Sequence, residues 1–486
     1  MTITGSLANA LSGLTAASRA AELVSSNVAN SMTPGYGRRE ISLAARHIGD
    51  GTPAGVNVTG VRREVDMGIV QDRCLADAAV GHDSALAGFH RDLEAILGTP
   101  DSAGSLSGHL ARFEASLIEA TSRPDSQARL AAVLQSAQDV VGKLNRASDA
   151  VQDIRMKADA AIGTQVRQIN DGLGRVENLN YEIKEALARG QDASPLLDQR
   201  QQAIDSISAI VPMKQVNRGH GMIALFSTGG AILLDGRAAT VGFSPAGVIV
   251  PEMTRAGGAL SGLTVNGFAV GTGPGRSPLG GGTLGAAFEL RDRLAPEAQT
   301  RLDAVARDLV ARFQDPGVDP SRAPGAAGLF TDSGAAFSSV DEVALSARIE
   351  VNARADPGRG GALWRLRDGL GAAVPGTAGN SALLRDLTDA LGNERVPASG
   401  GFLGVARSAN GLTADFLSLV SAARLHAEGA QSFSVAQQDS LTEAELNAGV
   451  DTDHEMQKLM LIEQAYAANA RVITTVDAML DALMSL

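Results

Sequence analysis

Gly280, Gly282 and Gly285 form a GxGxxG that opens a helical stretch, a pattern whose backbone N–H groups could cradle a dinucleotide pyrophosphate. That chemistry needs a strand running straight into the first glycine and an acidic residue at a strand end about twenty positions on. Pro278 instead precedes the glycines, and Asp303 falls inside an apparent helix, so a loop entering a helix is expected. Asp451, Asp453 and Glu455 begin like a calcium loop, but its sixth position is Met456 where glycine is required and its twelfth is Ile462 where a bidentate acid belongs. A capping box at Thr452 and Glu455 accounts for those acids better. His82 and His90 stand eight apart without a carboxylate at metal-ligand spacing. Cys74, in DRCLADAAVGH, has no base that spacing assigns to it, and no G-x-S-x-G elbow occurs. We therefore expect no catalytic residue, no metal and no cofactor. A dinucleotide-dependent enzyme is the rival reading that a nicotinamide and flavin binding assay would expose.

Composition narrows the class further. The 486 residues are 44% apolar and 20% charged, enough for a sizeable core, and 54 acidic against 42 basic residues give a net charge of -12, which repels phosphate backbones and argues against nucleic acid. Aromatics amount to 3%, so cores must be built from Ala, Leu, Val and Ile, as in long close-packed helices. A single cysteine rules out an intramolecular disulfide. No apolar run approaches the roughly 18 residues of a membrane span, and no basic residue precedes Arg19, so a cleavable secretory signal is not expected.

The elements that would position any site are mainly helical. We expect a mainly α fold: a long-helix rod with paired N- and C-terminal coiled-coil helices and an inserted small antiparallel β unit. Leu7, Leu11, Leu14, Ser18, Ala21, Ser25 and Val28 alternate four and three, the 3.5-residue period of a helix that packs lengthwise on another. Pro34 and Gly35 fit the centre of a type II turn, which ends that helix. An extended or irregular segment to residue 68 should follow. Residues 69–210 read as a helical rod interrupted near Pro100 and Pro124, with a stripe Ile162, Val166, Ile169, Leu173, Val176, Asn180, Ile183 and Leu187 in which Asn180 would fix helix register. Residues 211–290, with MIALFST, AILLDG and GVIVPEM between turn residues, read as the β unit. Residues 291–361 hold a helix, a Pro/Gly linker and a short strand at LSARIEV, residues 362–448 returning rod helices, and 449–486 the C-terminal helix. There Leu459, Ile462, Tyr466, Asn469, Ile473, Val476, Leu480 and Leu483 occupy successive a and d positions, broken only by Asn469. Such a narrow stripe is marginal alone, so both termini are expected to stay loose until buried, with residues near 7 meeting residues near 483.

SNVANSMTPGYGRREIS at Ser26 to Ser42 resembles the signature that follows the first helix of flagellar axial proteins, the family of rod, hook and hook-associated subunits. GVDTDHEMQKLMLIEQAYAANARVITTVDAMLDALMSL, residues 449–486, is similar to that family's C-terminal segment. TPGY resembles the hook-associated and proximal rod members, LLDQR at Leu196 to Arg200 and GGTLGAAFELRD at Gly281 to Asp292 resemble the hook-associated ones, and proximal rod proteins are far shorter. After AGLFTD at Ala327 to Asp332 the chain passes almost directly to DEVALSARIEV, where family members can carry a larger β-rich outer domain, so a slimmer subunit is expected.

The resemblance implies a structural subunit at the hook–filament junction, extracellular on the bacterial flagellum. It implies export without a cleavable signal through the flagellar type III apparatus, after a cytoplasmic chaperone has held the C-terminal helix. Implied partners are copies of the same chain in a ring, hook protein on one side and a second junction protein on the filament side, with no membrane insertion. The implied assembly interface comprises Leu7, Leu11, Leu14, Ala21, Asn27, Val28, Asn30, Pro34, Gly35 and Tyr36 from the first segment. From the last it takes Leu459, Ile462, Tyr466, Asn469, Ile473, Val476, Leu480 and Leu483. Another axial subunit of hook or filament type, or a cytoplasmic coiled-coil scaffold, remains the alternative that locating the protein would decide.

Overall fold

The computed structural model describes residues 3–33, 35–48, 52–273, 275, 277–402 and 404–485, the side chains of 48 and 52–54 excepted. Helix α1 (Ile3–Ala29) is followed by a two-stranded antiparallel ribbon, β1 (Arg38–Ile48) and β2 (Thr52–Glu64), with Arg39 opposite Arg63 and register shifts at Ser42/Leu43 and Ala45/His47. The expected extended stretch is thus a long hairpin, whose small and charged residues gave only a weak alternation.

Helix α2 (Met67–Leu97) starts where the Asp66 carboxylate accepts from the N–H groups of Gly68 and Ile69, and it stops at Gly98, whose φ of 86° no side-chain-bearing residue adopts cheaply. Ser105 and Ser126 cap α3 (Leu106–Ser122) and α4 (Gln127–Ala188), so the breaks fall near Pro100 and Pro124. The 62 residues of α4 span on the order of 90 Å. After α5 (Ser194–Ser208) come β3 (Met213–Gly219), β4 (Met222–Ser227), β5 (Ile232–Asp235) and β6 (Arg237–Ala238) in one antiparallel sheet, then β7 (Val241–Gly242), β8 (Leu263–Val265) and β9 (Phe268–Val270) in a second.

GVIVPEM forms no strand. Val248 and Val250 are exposed, and the loop is pinned by buried Arg155, which donates to the carbonyls of Val250 (3.2 Å) and Met253 (2.6 Å). Helix α6 (Gly282–Glu289) continues through a wide π-type turn at Leu290–Leu294 into α7 (Ala295–Gln314), the widening falling just before Pro296, which has no N–H to donate. LSARIEV splits into a single helical turn, α8 (Leu345–Arg348), and a strand, β11 (Ile349–Val351), that pairs with β10 (Phe330–Asp332). Then come α9 (Arg365–Asp368), α10 (Ala382–Gly392), α11 (Ala409–Ala448) and α12 (Thr452–Met484).

Two apolar cores organise the body between α2 and α11. One gathers α3, the first half of α4, α7, α10 and the start of α11 around Phe113, Phe313 and Phe330, whose ring centroids lie 5.1 to 5.9 Å apart. The other packs the stripe from Ile162 to Leu179 against α5, α6 and the β sheets. Asn180 sits where α4 meets both α5 and the β unit. Its amide donates to the Ile223 carbonyl (2.9 Å) and its oxygen accepts from Arg200 (2.9 Å), which ties the β unit to α4. Residues of α1, β1, β2 and α12 enter neither core.

Candidate assembly interface at the joined chain ends

Helices α1 and α12 lie antiparallel in one chain: Asn27 meets Glu455, and fourteen positions earlier Gly13 meets Asn469, fourteen positions later in α12. That register carries Leu7 to the level of about residue 475 rather than 483, one residue of α12 passing for each of α1 at the same helical rise. Ala10, Ala16, Ala17 and Val24 are buried on the α1 side, and Val476 on the α12 side. Leu7, Leu14, Ala21, Val28, Leu459, Ile462, Asn469 and Ile473 are half-buried along the seam. Leu11, Tyr466, Leu480 and Leu483 are exposed. The two termini thus already pair as helices within a single chain, because each offers the other a stripe of matching period.

The turn after α1 is a folded polar device. Asn27, fully buried, donates through Nδ2 to the Arg39 carbonyl (2.9 Å) and to Glu455 Oε2 (3.1 Å), while its Oδ1 accepts from the Arg39 N–H (2.9 Å) and the Tyr36 hydroxyl (2.9 Å). One carboxamide thereby joins α1, β1 and α12. Asn30 Nδ2 donates back to the Ser26 carbonyl, closing the last turn of α1. Gly35 adopts φ 76°, and a Cβ there would approach Gln202 of α5 to 3.0 Å, so the turn needs glycine for both its conformation and its fit. Pro34 lies outside the described residues.

Glu455 is not a capping-box partner. Asp451 caps α12 by accepting from the N–H groups of Asp453 and His454, which frees Glu455 to turn inward toward Asn27, with Arg38 3.7 Å away. Lys458 donates to Glu40 at 3.0 Å and, with Arg38 and Arg62 nearby, holds that carboxyl below its ordinary range.

LLDQR supplies the anchor for this turn. Asp198, buried on α5, accepts from the Gly37 N–H (3.0 Å), from Arg39 (3.1 Å) and from Arg63 (2.7 Å), and Arg63 also donates to the Gly35 carbonyl. Two residues on, Arg200 donates to Asn180 and to the Gly221 carbonyl; burial, with Arg63 nearby, brings its pKa down to about 10. The sequence marked LLDQR as a motif but gave no partner for Asp198, since Gly37 lies 161 positions away.

A second apolar stripe on α12 was also missed. Leu461, Ala465, Ala468, Val472 and Met479 recur at spacings of four, three, four and seven, roughly a quarter turn around from the seam with α1. All five are exposed, Leu461 at 66%, Met479 at 53% and Val472 at 41%.

The other residues of chemical interest are absorbed by the fold. Gly281 and Gly282 have φ 83° and 61°, and a Cβ on Gly282 would lie 2.2 Å from the Ile210 carbonyl oxygen, so these glycines serve close packing at the start of α6. Asp303 accepts from the N–H groups of Ala344 and Ser346 and from Gln299. Cys74 is buried beside Asp205, and burial first, then that carboxylate, pushes its thiol up to about 12, where it is inert. His82 does have acidic neighbours: its ring nitrogens lie 3.3 Å from Glu289 and 3.1 Å from Asp83. Among the described residues no group of three His, Cys, Asp or Glu stands within reach of one metal ion.

Comparison with known proteins follows the same division. The helical domain of the flagellar hook-associated protein FlgK matches residues 91–327. The flagella basal body rod protein model matches 7–36, covering most of α1 and its turn, and the C-terminal model of the flagellar basal body rod FlgEFG proteins matches 446–486, covering α12. Flagellar hook-associated protein 1 of Salmonella typhimurium is 31% identical over 238 residues, 48% of this chain and 42% of that one. Its namesake in Escherichia coli is 29% identical over 240 residues, 48% and 43% of the two chains, and that of Bacillus subtilis 27% over 243 residues, 47% of each. The matched region spans less than half the length of these relatives. The solved hook junction protein FlgK of Burkholderia pseudomallei superposes with a TM-score of 0.42 at 19% identity over 55% of this chain and 47% of that one, a likeness too slight to carry an argument.

Proposed function

Starting from membership of the flagellar hook-associated protein family, with the hook-associated helical domain at its centre and axial segments at both ends, we propose that this chain is a structural, non-catalytic subunit of the hook–filament junction. The observation that carries the proposal is the exposed second stripe of α12. Most of its first stripe already faces α1, whereas Leu461, Val472 and Met479 remain apolar and in water until another helix covers them. Neighbouring copies, each offering the same helix pair, are the occupants a ring would supply.

In this reading the second stripe of α12 meets the neighbouring copy, and the residues of the α1–α12 seam, with the Asn27, Asn30, Gly35 and Tyr36 turn, hold it in position for assembly. Hook protein contacts one side of the ring and a second junction protein the filament side. Export runs through the flagellar type III apparatus, with a cytoplasmic chaperone shielding the apolar faces of α12 beforehand. The net charge of -12 disfavours nucleic acid, and among the described residues no helix is long and apolar enough to cross a membrane. Labelling the protein on isolated hook–filament structures tests the proposal: signal confined to the junction is expected, and signal along the hook or the filament, or in the cytoplasm alone, overturns it.

A further inference from the structure

Helices α1 and α12 with the β1–β2 ribbon make a stem distinct from the body, and the way the two are joined is unusual. The chain crosses between them twice, at Val65–Asp66 and at 449–451, while the turn that joins α1 to β1 within the stem reaches α5 through Gly35 and Gly37. Among the described residues none of the stem belongs to either apolar core, and the principal element contact across the boundary is α5 against β2. The hydrogen bonds that tie stem to body from Gly37, Arg39 and Arg63 all end on one carboxylate, that of Asp198. Beside the crossing at Gly449 lie two open grooves, one of about 440 Å³ lined by Met32, Tyr36 and Leu446, the other of about 720 Å³ lined by Glu64, Asn447 and His454.

We propose that the stem is a rigid arm hinged on the body at these two crossings, and that Asp198 is the latch that holds one angle. An apolar joint would resist rotation through dispersed contacts, each weak and many in number. Here one charged hub gathers the bonds from Gly37, Arg39 and Arg63, their strength concentrated in charge-assisted bonds that weaken together when that group is removed. The grooves leave room for the connectors to move without steric cost. The stem stays internally intact during such a swing, because Asn27, Glu455 and Arg38 all belong to it. This device stands whether or not the chain assembles at a hook–filament junction.

Pulsed electron paramagnetic resonance on the full chain tests it, with spin labels at Ser18→Cys on α1 and Ala132→Cys on α4, both exposed sites. With Asp198 present, one narrow distance distribution is expected. Asp198→Ala should lose it, giving a broad or split distribution, while amide exchange in α4 and thermal unfolding of the body stay unchanged. Since Asp198 sits in α5, a second variant, Arg39→Gln with Arg63→Gln, removes the two charged bonds from the stem side, leaving that of the Gly37 N–H, without touching the body. Broadening in this stem-side variant supports the latch. A distribution as narrow as that of the unsubstituted chain, in either variant with its body folded, overturns it.

Discussion

Gly13 of α1 rests directly on the side chain of Asn469 in α12: a Cβ at position 13 would lie 2.7 Å from Asn469 Nδ2 and 2.8 Å from its Oδ1. The polar interruption of the C-terminal stripe is thus matched by the absence of a side chain opposite. Asn469 satisfies its own amide by donating to the Ala465 carbonyl at 2.9 Å, so it needs nothing from α1 but space.

Gly13→Leu should force the two helices apart at this level. Gly13→Ala is milder, because the asparagine can turn and alanine adds up to about 1 kcal/mol of helix propensity. Protease protection of α12, compared in the two variants, checks this: loss is expected for leucine only.

Glu455 gives a graded test of the α1–α12 pair. Glu455→Gln keeps an acceptor for Asn27, whereas Glu455→Ala leaves a fully buried carboxamide with one donor unmet, a cost of about 1 to 3 kcal/mol. Hydrogen exchange of α1 amides should therefore accelerate much more in the alanine variant than in the glutamine one. Equal acceleration would mean that the Asn27 bond is not what holds the pair.

Assembly and folding separate at α12. Val472→Asp places a carboxylate on the exposed stripe, which costs nothing in the lone chain and buries an unpaired charge once a neighbour covers it. Ile473→Asp puts the charge in the half-buried seam instead. Both should block filament growth in motility and electron-microscopy assays with the body folded, and only Ile473→Asp should also loosen the stem of the isolated chain.

The His82–Glu289 contact predicts a pH dependence. Hydrogen bonding to Glu289 first, and to Asp83, raises the His82 pKa, while hydrogen bonding to His82 first, and then to Arg293, brings Glu289 down to about 2. A raised histidine contributes fully below its unfolded value near 6.5 and loses its contribution as pH rises through the higher folded value; the lowered glutamate contributes above about 4.5 and fades as pH falls toward about 2. The difference in melting temperature between the unsubstituted chain and His82→Gln should thus be largest between about pH 4.5 and 6.5 and shrink on the alkaline side.

What the sequence disclosed is what repeats locally. The period of Leu459, Ile462, Ile473 and Val476 announced a helix that needs a partner, Pro100 and Pro124 announced breaks, and the glycines at 280–285 failed the test for a nucleotide site before any geometry was known. Contacts between distant residues left no such trace. Asp198 reads as one acid among many until Gly37, Arg39 and Arg63 surround it, and Glu455 looked like a cap because Asn27, its actual partner, lies 428 positions away. The second stripe of α12 escaped because two of its members are alanines, which carry little hydrophobic signal beside a stronger row of leucine, isoleucine and valine.

That 428-residue separation has a kinetic side. Closing so long a loop is entropically costly, and contacts of such range form late. The two apolar cores can be completed from residues 86 to 420 alone, so a chain emerging amino end first can consolidate its middle while Asn27 waits for Glu455 to appear. The last portion delivered is the one that shuts the first, and a chain truncated before residue 455 would own a finished trunk with its opening helix left ajar.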